Sequence, residues 1–171
     1  LSMFSDLHGI VTVKDFFYEN ETAYIIMEFI NGVSLKDYLT KVGGRMRHNE
    51  VTKLMKPVLE SMNKIHEVGI IHRDIKCENI LLKSEQFGDE EHIIAKMSDL
   101  GLSRKIEGVA GNLTTCGTPY YVSPEIAAGE KKYNYNSDVW SLGVMLYELV
   151  TLNKPWYNPT LRTQELFNEI F

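Results

Sequence analysis

Cysteine is scarce in this sequence, with only two among 171 residues. Cys77 and Cys116 do not have the spacing of a metal-binding motif. One pair is also too few for the disulfide framework that holds small secreted domains together. We therefore expect two reduced thiols in a cytoplasmic or nuclear protein.

Long apolar runs are also lacking. The most apolar stretch, 142–150, is interrupted by Glu148, and it is much shorter than the roughly 20 residues that span a bilayer. The first residues do not have a basic start followed by an apolar block, which is the pattern of a secretion signal. We expect no membrane partner. Because the first residue is Leu1, we also expect the chain to be cut from a longer one.

An excess of basic charge is the third absence. The chain has 18 Lys and Arg against 23 Asp and Glu, for a net charge of −5. Nucleic-acid-binding domains usually carry a basic face, so we expect no nucleic-acid partner. With 44% apolar and 24% charged residues, the composition is typical of a globular domain with a core of its own.

The first half of the sequence predicts a hairpin followed by two helices. Two β-type runs, Ile10–Tyr18 and Ala23–Phe29, flank a turn at Asn20–Thr22, and Asn31-Gly32 ends the second strand. Ser34 is placed to cap a short helix over Leu35–Lys41. A longer helix is expected over Glu50–Val68, with Asn49 as its N-cap and Gly69 as its end. Seven apolar residues form one stripe on that helix: Val51, Leu54, Met55, Val58, Leu59, Met62 and Ile65.

The second half predicts short strands, two loops and one apolar helix. Ser84–Glu91 is expected to be an acidic loop, and Gly101–Lys132 a long irregular segment. The helix over Ser137–Val150 is apolar nearly all round, which predicts burial on all sides. Strands are expected at Ile70–Ile71, Ile80–Lys83 and Ile93–Met97. Together these patterns indicate an α+β fold that is mainly helical after residue 33.

Four short motifs carry the functional information. His72-Arg73-Asp74 followed by Asn79 resembles the H-R-D-x-x-x-x-N catalytic loop of protein kinases. Asp99-Leu100-Gly101 is similar to the D-F-G motif of that family, and Ser123-Pro124-Glu125 to its A-P-E motif. Asp138–Gly143 resembles the start of its buried helix. The four occur in the order of the family, so the chain resembles protein kinases over its whole length.

The resemblance implies phosphoryl transfer from ATP with Mg²⁺, in which the protein positions groups and neutralises charge. Asp74 would accept or orient the proton of the substrate hydroxyl, Lys76 would lie near the transferred phosphoryl group, and Thr118 would hydrogen-bond both. Asn79 and Asp99 would be the oxygen ligands of Mg²⁺. Outside this set of motifs, an Asp or Asn of this kind is more often a turn cap.

Substrate type and activation are implied by the same resemblance. Lys76 together with Thr118 favours Ser or Thr hydroxyls of proteins over Tyr. His72 would be a packing residue. Arg73 would hold a phosphate on Thr114 or Thr115, although these two can equally be ordinary polar loop residues.

The predicted hairpin corresponds to the end of the N-terminal lobe of a kinase and its hinge. Met27 would be the gatekeeper next to the adenine. The backbone of Glu28 and of Ile30 would meet the adenine edge, and Leu81 would lie under the ring. Without the resemblance, these four are ordinary strand residues.

The sequence also departs from the family. It contains no G-x-G-x-x-G followed by V-A-x-K. We therefore expect a partial kinase domain, with 1–30 a remnant of the N-terminal lobe and hinge and 31–171 an incomplete C-terminal lobe. Leu100 replaces the usual Phe, and the segment between Asn79 and Asp99 is longer than usual. The motif at 116–121 and the one at 135–141 look most like the NimA-related branch.

The sequence therefore predicts a protein serine/threonine kinase whose residues 1–171 alone are inactive. Two alternatives stay open. The first is a pseudokinase, a partner-binding module without catalysis, which the missing V-A-x-K permits. The second, a small-molecule kinase of related fold, is disfavoured because 123–125 and the segment around Thr118 shape a peptide groove in the family.

Overall fold

The computed structural model describes residues 7–87, 90–99, 104–105, 118–130 and 133–170. Within these ranges, the chain folds into small antiparallel sheets packed on a set of helices. This arrangement confirms the predicted α+β class.

The predicted hairpin is present. Strands β1 (Val13–Glu19) and β2 (Thr22–Met27) pair in antiparallel register around Asn20 and Glu21. The two turn residues have φ of +48° and +61°, as in the two-residue turns whose twist matches that of paired strands. Ile10 lies outside β1, where it forms a parallel bridge with Met97. Much of the apolar surface of the hairpin is exposed, namely Phe16, Phe17, Tyr18, Tyr24, Ile25, Ile26 and Met27.

A three-stranded sheet is formed by β3 (Gly32–Ser34), β5 (Ile80–Phe87) and β6 (Glu90–Met97), in the order β3, β5, β6. Two expectations are corrected here. Gly32 begins a strand instead of ending one, and its backbone lies so close to β5 that a Cβ would be 1.7 Å from the Leu82 carbonyl oxygen. The segment expected to be the acidic loop is instead the end of the β5–β6 hairpin, with Ser84 opposite Ile93 and Phe87 opposite Glu90.

Two helices follow β3. Helix α1 (Leu35–Val42) is capped as predicted, since the Ser34 hydroxyl accepts a hydrogen bond from the Asp37 amide at 3.0 Å. Helix α2 (His48–Glu67) begins at an Arg47 cap, so Asn49 is not the cap. The reason is Glu50, whose carboxylate accepts the Arg47 amide at 2.7 Å and so closes the helix start earlier.

The core lies between α2, the three-stranded sheet and α4 (Tyr135–Thr151). Six of the seven residues of the predicted α2 stripe are buried, and Leu59 is the exception, with 41% of its surface exposed. On the opposite side, Met145 and Leu149 of α4 and Met97 of β6 are fully buried. The helical periodicity therefore identifies the contact face of α2 correctly.

The remaining elements are one short strand pair and two short helices. Strand β4 (Ile70–Ile71) pairs with β7 (Arg104–Lys105), and α3 (Pro124–Ala127) and α5 (Thr163–Ile170) complete the helices of the described residues. The prediction that α4 is buried on all sides is wrong, because Val139 is 57% exposed and Tyr147 and Val150 are also exposed. The described neighbours cover one side of α4 only. Within the described ranges, no helix is long and apolar enough to cross a bilayer.

Candidate active site

The segment 72–79 joins β4 to β5, and Asp138 determines its shape. Asp138, in the first turn of α4, is only 1% exposed. Its carboxylate accepts the backbone amides of His72 at 2.8 Å and Arg73 at 2.9 Å. Arg73 has φ of +74°, a conformation that costs about 1–3 kcal/mol and persists only where surrounding contacts impose it. His66 of α2 lies 2.8 Å from the same carboxylate, so Asp138 ties the loop to two helices.

Asp74 lies at the centre of a small polar cluster. Its carboxylate is nearly buried, with Oδ2 2.6 Å from Lys76 Nζ and 2.9 Å from Asn79 Nδ2. Lys76 also donates to the Thr118 hydroxyl at 3.0 Å. Among the described residues, the contact to the second oxygen of Asp74, Oδ1, is a long one of 3.4 Å from Thr118. Oδ1 is therefore the oxygen best placed to accept a proton from an incoming hydroxyl.

The two candidate metal ligands lie at neighbouring strand ends. Asn79 directly precedes β5, and Asp99 follows β6. Ser98 joins them, since its amide and hydroxyl donate to the Asn79 carbonyl at 2.8 and 3.0 Å. The Asn79 side-chain amide donates to the Asp74 backbone and carboxylate oxygens, so its Oδ1 is left as a ligand. Among the described residues, there is no group of three or more His, Cys, Asp and Glu arranged to hold a metal.

His72 and Cys77 are buried groups of the same loop. His72 is fully buried, and this burial lowers the pKa of its imidazole despite the nearby Asp138. A neutral, enclosed imidazole suits the packing role expected for it. Cys77 is a free thiol, as expected, and it is buried. Cys116 lies outside the described residues.

The predicted hinge residues follow β2. Met27 ends that strand, and its side chain is exposed. The Glu28 amide already donates to the Thr12 carbonyl at 2.9 Å, and the Ile30 carbonyl already accepts from Gly32 at 3.0 Å. Among the described backbone groups, this leaves the Glu28 carbonyl and the Ile30 amide for a base edge.

Leu81 faces the same region. It lies opposite Lys96 in the β5–β6 register, and side chains of directly opposed residues share one face of a sheet. The Lys96 side chain reaches Glu28. Leu81 is therefore on the sheet face that points to the hinge.

Glu148 connects the segment that follows Thr118 to helix α1. Thr118 precedes a 3₁₀ turn at Pro119–Tyr121, and the Tyr121 hydroxyl donates to Glu148. Lys36 Nζ also lies 2.8 Å from this carboxylate. Burial raises the pKa of Glu148, but the hydrogen bonds from Lys36 and Tyr121 outweigh it and the net effect is a lowered pKa. Glu125 accepts from the Ser137 hydroxyl at 2.8 Å.

Several expectations fall outside the described residues. Leu100 and Gly101 of the D-F-G-like motif do so, as do the candidate phosphorylation sites Thr114 and Thr115. Hydrogen bonds join four of the other candidate residues: Asp74, Lys76, Thr118 and Asn79. Asp99 follows Ser98, which donates to the Asn79 carbonyl. On the hinge side, Glu28 pairs with Lys96, which lies opposite Leu81, and Met27 and Ile30 are neighbours of Glu28 along the chain.

Sequence reasoning missed the roles of Asp138 and Glu148. Both are carboxylates inside an otherwise apolar helix, and an acidic residue in such a position is buried only when it is paired. That conflict between apolar pattern and charge is the signal that could have found them.

Comparisons with known proteins agree with this geometry. A family model described as protein kinase domain matches residues 2–170. Myosin light chain kinase A of Dictyostelium discoideum is 35% identical over 164 residues, which are 95% of this chain and 52% of that protein. Serine/threonine-protein kinase shk1/pak1 of Schizosaccharomyces pombe is 36% identical over 85% of this chain and 21% of its own length. CBL-interacting protein kinase 24 of Oryza sativa subsp. japonica is 40% identical over 82% of this chain and 29% of its own length.

The chain thus spans about half, or less, of each of these curated relatives. Their names do not include the NimA-related branch, so that finer assignment stays a prediction.

Proposed function

The chain belongs to the protein kinase family, and from this premise we propose that the protein containing it transfers the γ-phosphoryl group of ATP to Ser and Thr hydroxyls of proteins. The observation that carries the proposal is the cluster of Asp74, Lys76 and Thr118, with contacts of 2.6 and 3.0 Å through the lysine. These groups suit a reaction that needs a positioned hydroxyl and a nearby positive charge.

Each member of the cluster has a distinct task. Asp74 orients the substrate hydroxyl and accepts its proton at Oδ1. Lys76 fixes the other carboxylate oxygen and places a cation where negative charge develops on the transferred group. Thr118 holds Lys76 from the substrate side, which links the loop 72–79 to the segment that contacts the peptide.

The nucleotide and its metal have matching groups in the chain. The amide oxygen of Asn79 and the carboxylate of Asp99 are hard oxygen donors, the type that Mg²⁺ prefers. They would hold the metal, which neutralises phosphate charge when it is bound. The Glu28 carbonyl and the Ile30 amide would bind the adenine edge, with Met27 and Leu81 as apolar contacts. On this proposal, 1–30 belong to the N-terminal lobe and hinge and 31–171 to the C-terminal lobe.

Acceptor specificity gives the test of the proposal. Three peptides that differ only in having Ser, Thr or Tyr at one position are incubated with the full-length protein and ATP labelled on its γ-phosphate. We expect label on the Ser and Thr peptides, because the Lys76–Thr118 pair resembles that of kinases that act on Ser and Thr. Label mainly on the Tyr peptide would overturn the Ser/Thr assignment. No transfer to any hydroxyl, from a folded protein with ATP and Mg²⁺, would overturn the catalytic proposal and favour a partner-binding module.

A further inference from the structure

Lys96 is a buried lysine that the proposed reaction does not use. It lies on β6 with its Nζ 2.5 Å from Glu28 Oε1, and the two side chains are only 11% and 15% exposed. The pair joins the three-stranded sheet to the segment after β2, 68 residues away along the chain. A lysine is rarely buried to this extent unless it is paired.

Thr12 also forms two hydrogen bonds with Glu28. Glu28 Oε1 accepts the Thr12 amide at 2.8 Å, and the Glu28 amide donates to the Thr12 carbonyl at 2.9 Å. The segment before Thr12 is fastened to β6 in turn, since the Val11 amide donates to the Met97 carbonyl at 2.9 Å. These contacts therefore form a closed ring that includes the hinge residue Glu28. The other members of the ring are Thr12, Val11, Met97 and Lys96.

The same strand leads to the candidate metal site. Lys96 precedes Asp99 by three residues, and Ser98 between them donates to the Asn79 carbonyl. The C-terminal end of β6 therefore contacts the hinge through the Lys96 side chain. The same end leads directly into Ser98, which contacts Asn79, and then into Asp99.

We propose that Lys96 is a positioning residue for the nucleotide, which acts through Glu28 to fix the hinge backbone relative to the strand that carries Asp99. The inference rests on the proposed function, since it assumes that the Glu28 carbonyl meets the adenine and Asp99 the metal. Adenine binding then depends on the charge pair between the Lys96 and Glu28 side chains, neither of which touches the base or the phosphates.

The electrostatics of the pair agree with this role. Burial raises the pKa of the Glu28 carboxyl, but the hydrogen bonds from Lys96 and from the Thr12 amide, with the charge of Lys96, more than offset it, so the pKa is lowered. The carboxylate is therefore ionised at neutral pH. Removing one partner leaves the other charge unpaired at a mostly enclosed position, which is unfavourable.

The test compares four variants of the full-length protein. Lys96→Met removes the charge and keeps the length of the side chain, Lys96→Arg keeps the charge, and Glu28→Gln removes the other partner. Lys64→Met is the matched control, because Lys64 lies on α2 and forms a 2.8 Å pair with Glu67 at an exposed site. The readouts are the dissociation constant of ADP·Mg²⁺ by calorimetry, the KM values for ATP and for peptide, and the thermal midpoint.

We expect Lys96→Met and Glu28→Gln each to weaken ADP binding and to raise KM for ATP by about five- to tenfold, the effect of one misplaced hydrogen bond. The peptide KM should stay the same, Lys96→Arg should recover most of the nucleotide affinity, and Lys64→Met should bind ADP like the wild type.

A lower thermal midpoint with unchanged ADP affinity in Lys96→Met would overturn the inference and leave Lys96 a purely structural residue. If Lys96→Met does not fold, the ADP affinity of Glu28→Gln decides in the same way. Because ADP binding needs no phosphoryl transfer, this result is separate from failure of the catalytic proposal, which would appear as an inactive wild type.

Discussion

Residues 1–171 produced alone are expected to bind ATP·Mg²⁺ more weakly than about 1 mM and to transfer no phosphate, a loss of several kcal/mol from ordinary substrate affinities. Kinases hold the triphosphate with a Gly-rich loop and a lysine on an upstream strand, and neither motif occurs in this sequence. The hairpin β1–β2 exposes much of its apolar surface, and Phe29 after it is 83% exposed. A two-stranded hairpin is marginal in water, so β1 and β2 add little to the support that the hinge segment has from the Glu28–Lys96 pair.

Calorimetric titration of purified residues 1–171 with ATP·Mg²⁺ checks this expectation, with light scattering to measure association. The exposed residues of α4, such as Val139 and Tyr147, add to an apolar surface that favours aggregation. A protein kinase of known ATP affinity, measured under the same conditions, serves as the positive control. A soluble monomer of residues 1–171 that binds ATP in the micromolar range would show that the missing motifs are dispensable.

Asp74→Asn in the full-length protein is expected to lower kcat by at least about a hundredfold, the scale of a lost general base. Asn has the size of Asp, but it is uncharged and accepts no proton. Its amide would also have to share the site with two donors, Lys76 Nζ at 2.6 Å and Asn79 Nδ2 at 2.9 Å. The KM for ATP should change less than kcat, because the side-chain amide of Asn79, a proposed metal ligand, keeps its 2.8 Å hydrogen bond to the Asp74 backbone carbonyl.

The measurement is the steady-state kcat of Asp74→Asn, compared with that of Asp15→Asn. The comparison separates the loss of a carboxylate at the active site from the loss of a carboxylate elsewhere. Asp15 is an exposed carboxylate on β1 whose only described hydrogen bond is to the neighbouring Phe16 amide. The Asp15 variant should keep wild-type kcat. Near-normal turnover of Asp74→Asn would remove the role of general base from Asp74.

Features that depend on neighbours in sequence could be predicted. The apolar stripe of α2 has helical spacing, so its buried face follows from periodicity alone. The hairpin turn at Asn20 and Glu21 follows from the two flanking β-type runs. Asp74, Lys76 and Asn79 lie within one short loop, so any compact conformation of that loop keeps them close to one another.

The extent of β5 and β6 could not be predicted from local pattern. Residues 84–91 are mostly polar, and a polar strand lacks the alternation that marks a half-buried sheet. The pairing of Ser84 with Ile93 depends on the register inherited from the buried part of the sheet.

Long-range contacts could also not be predicted from the sequence, except where the family resemblance implied them. Thr118 meets Lys76 across 42 residues, and Lys96 meets Glu28 across 68. Composition showed that α4 is apolar, but not that only one side of it is covered. Each of these features depends on which distant element packs against the residue or helix concerned. Local sequence propensity contains no information about that packing.

The most direct test of the central claim, that Asp74 and Lys76 act as one unit on the substrate hydroxyl, is a double-mutant cycle on kcat with Asp74→Asn, Lys76→Met and the combined variant. Groups that act together lose their effect together, so their mutational costs do not add. The 2.6 Å contact between the two side chains predicts that the double variant is no more than a few-fold slower than Asp74→Asn alone. A double variant whose loss equals the product of the two single losses would show that the residues act independently and would contradict the proposed mechanism.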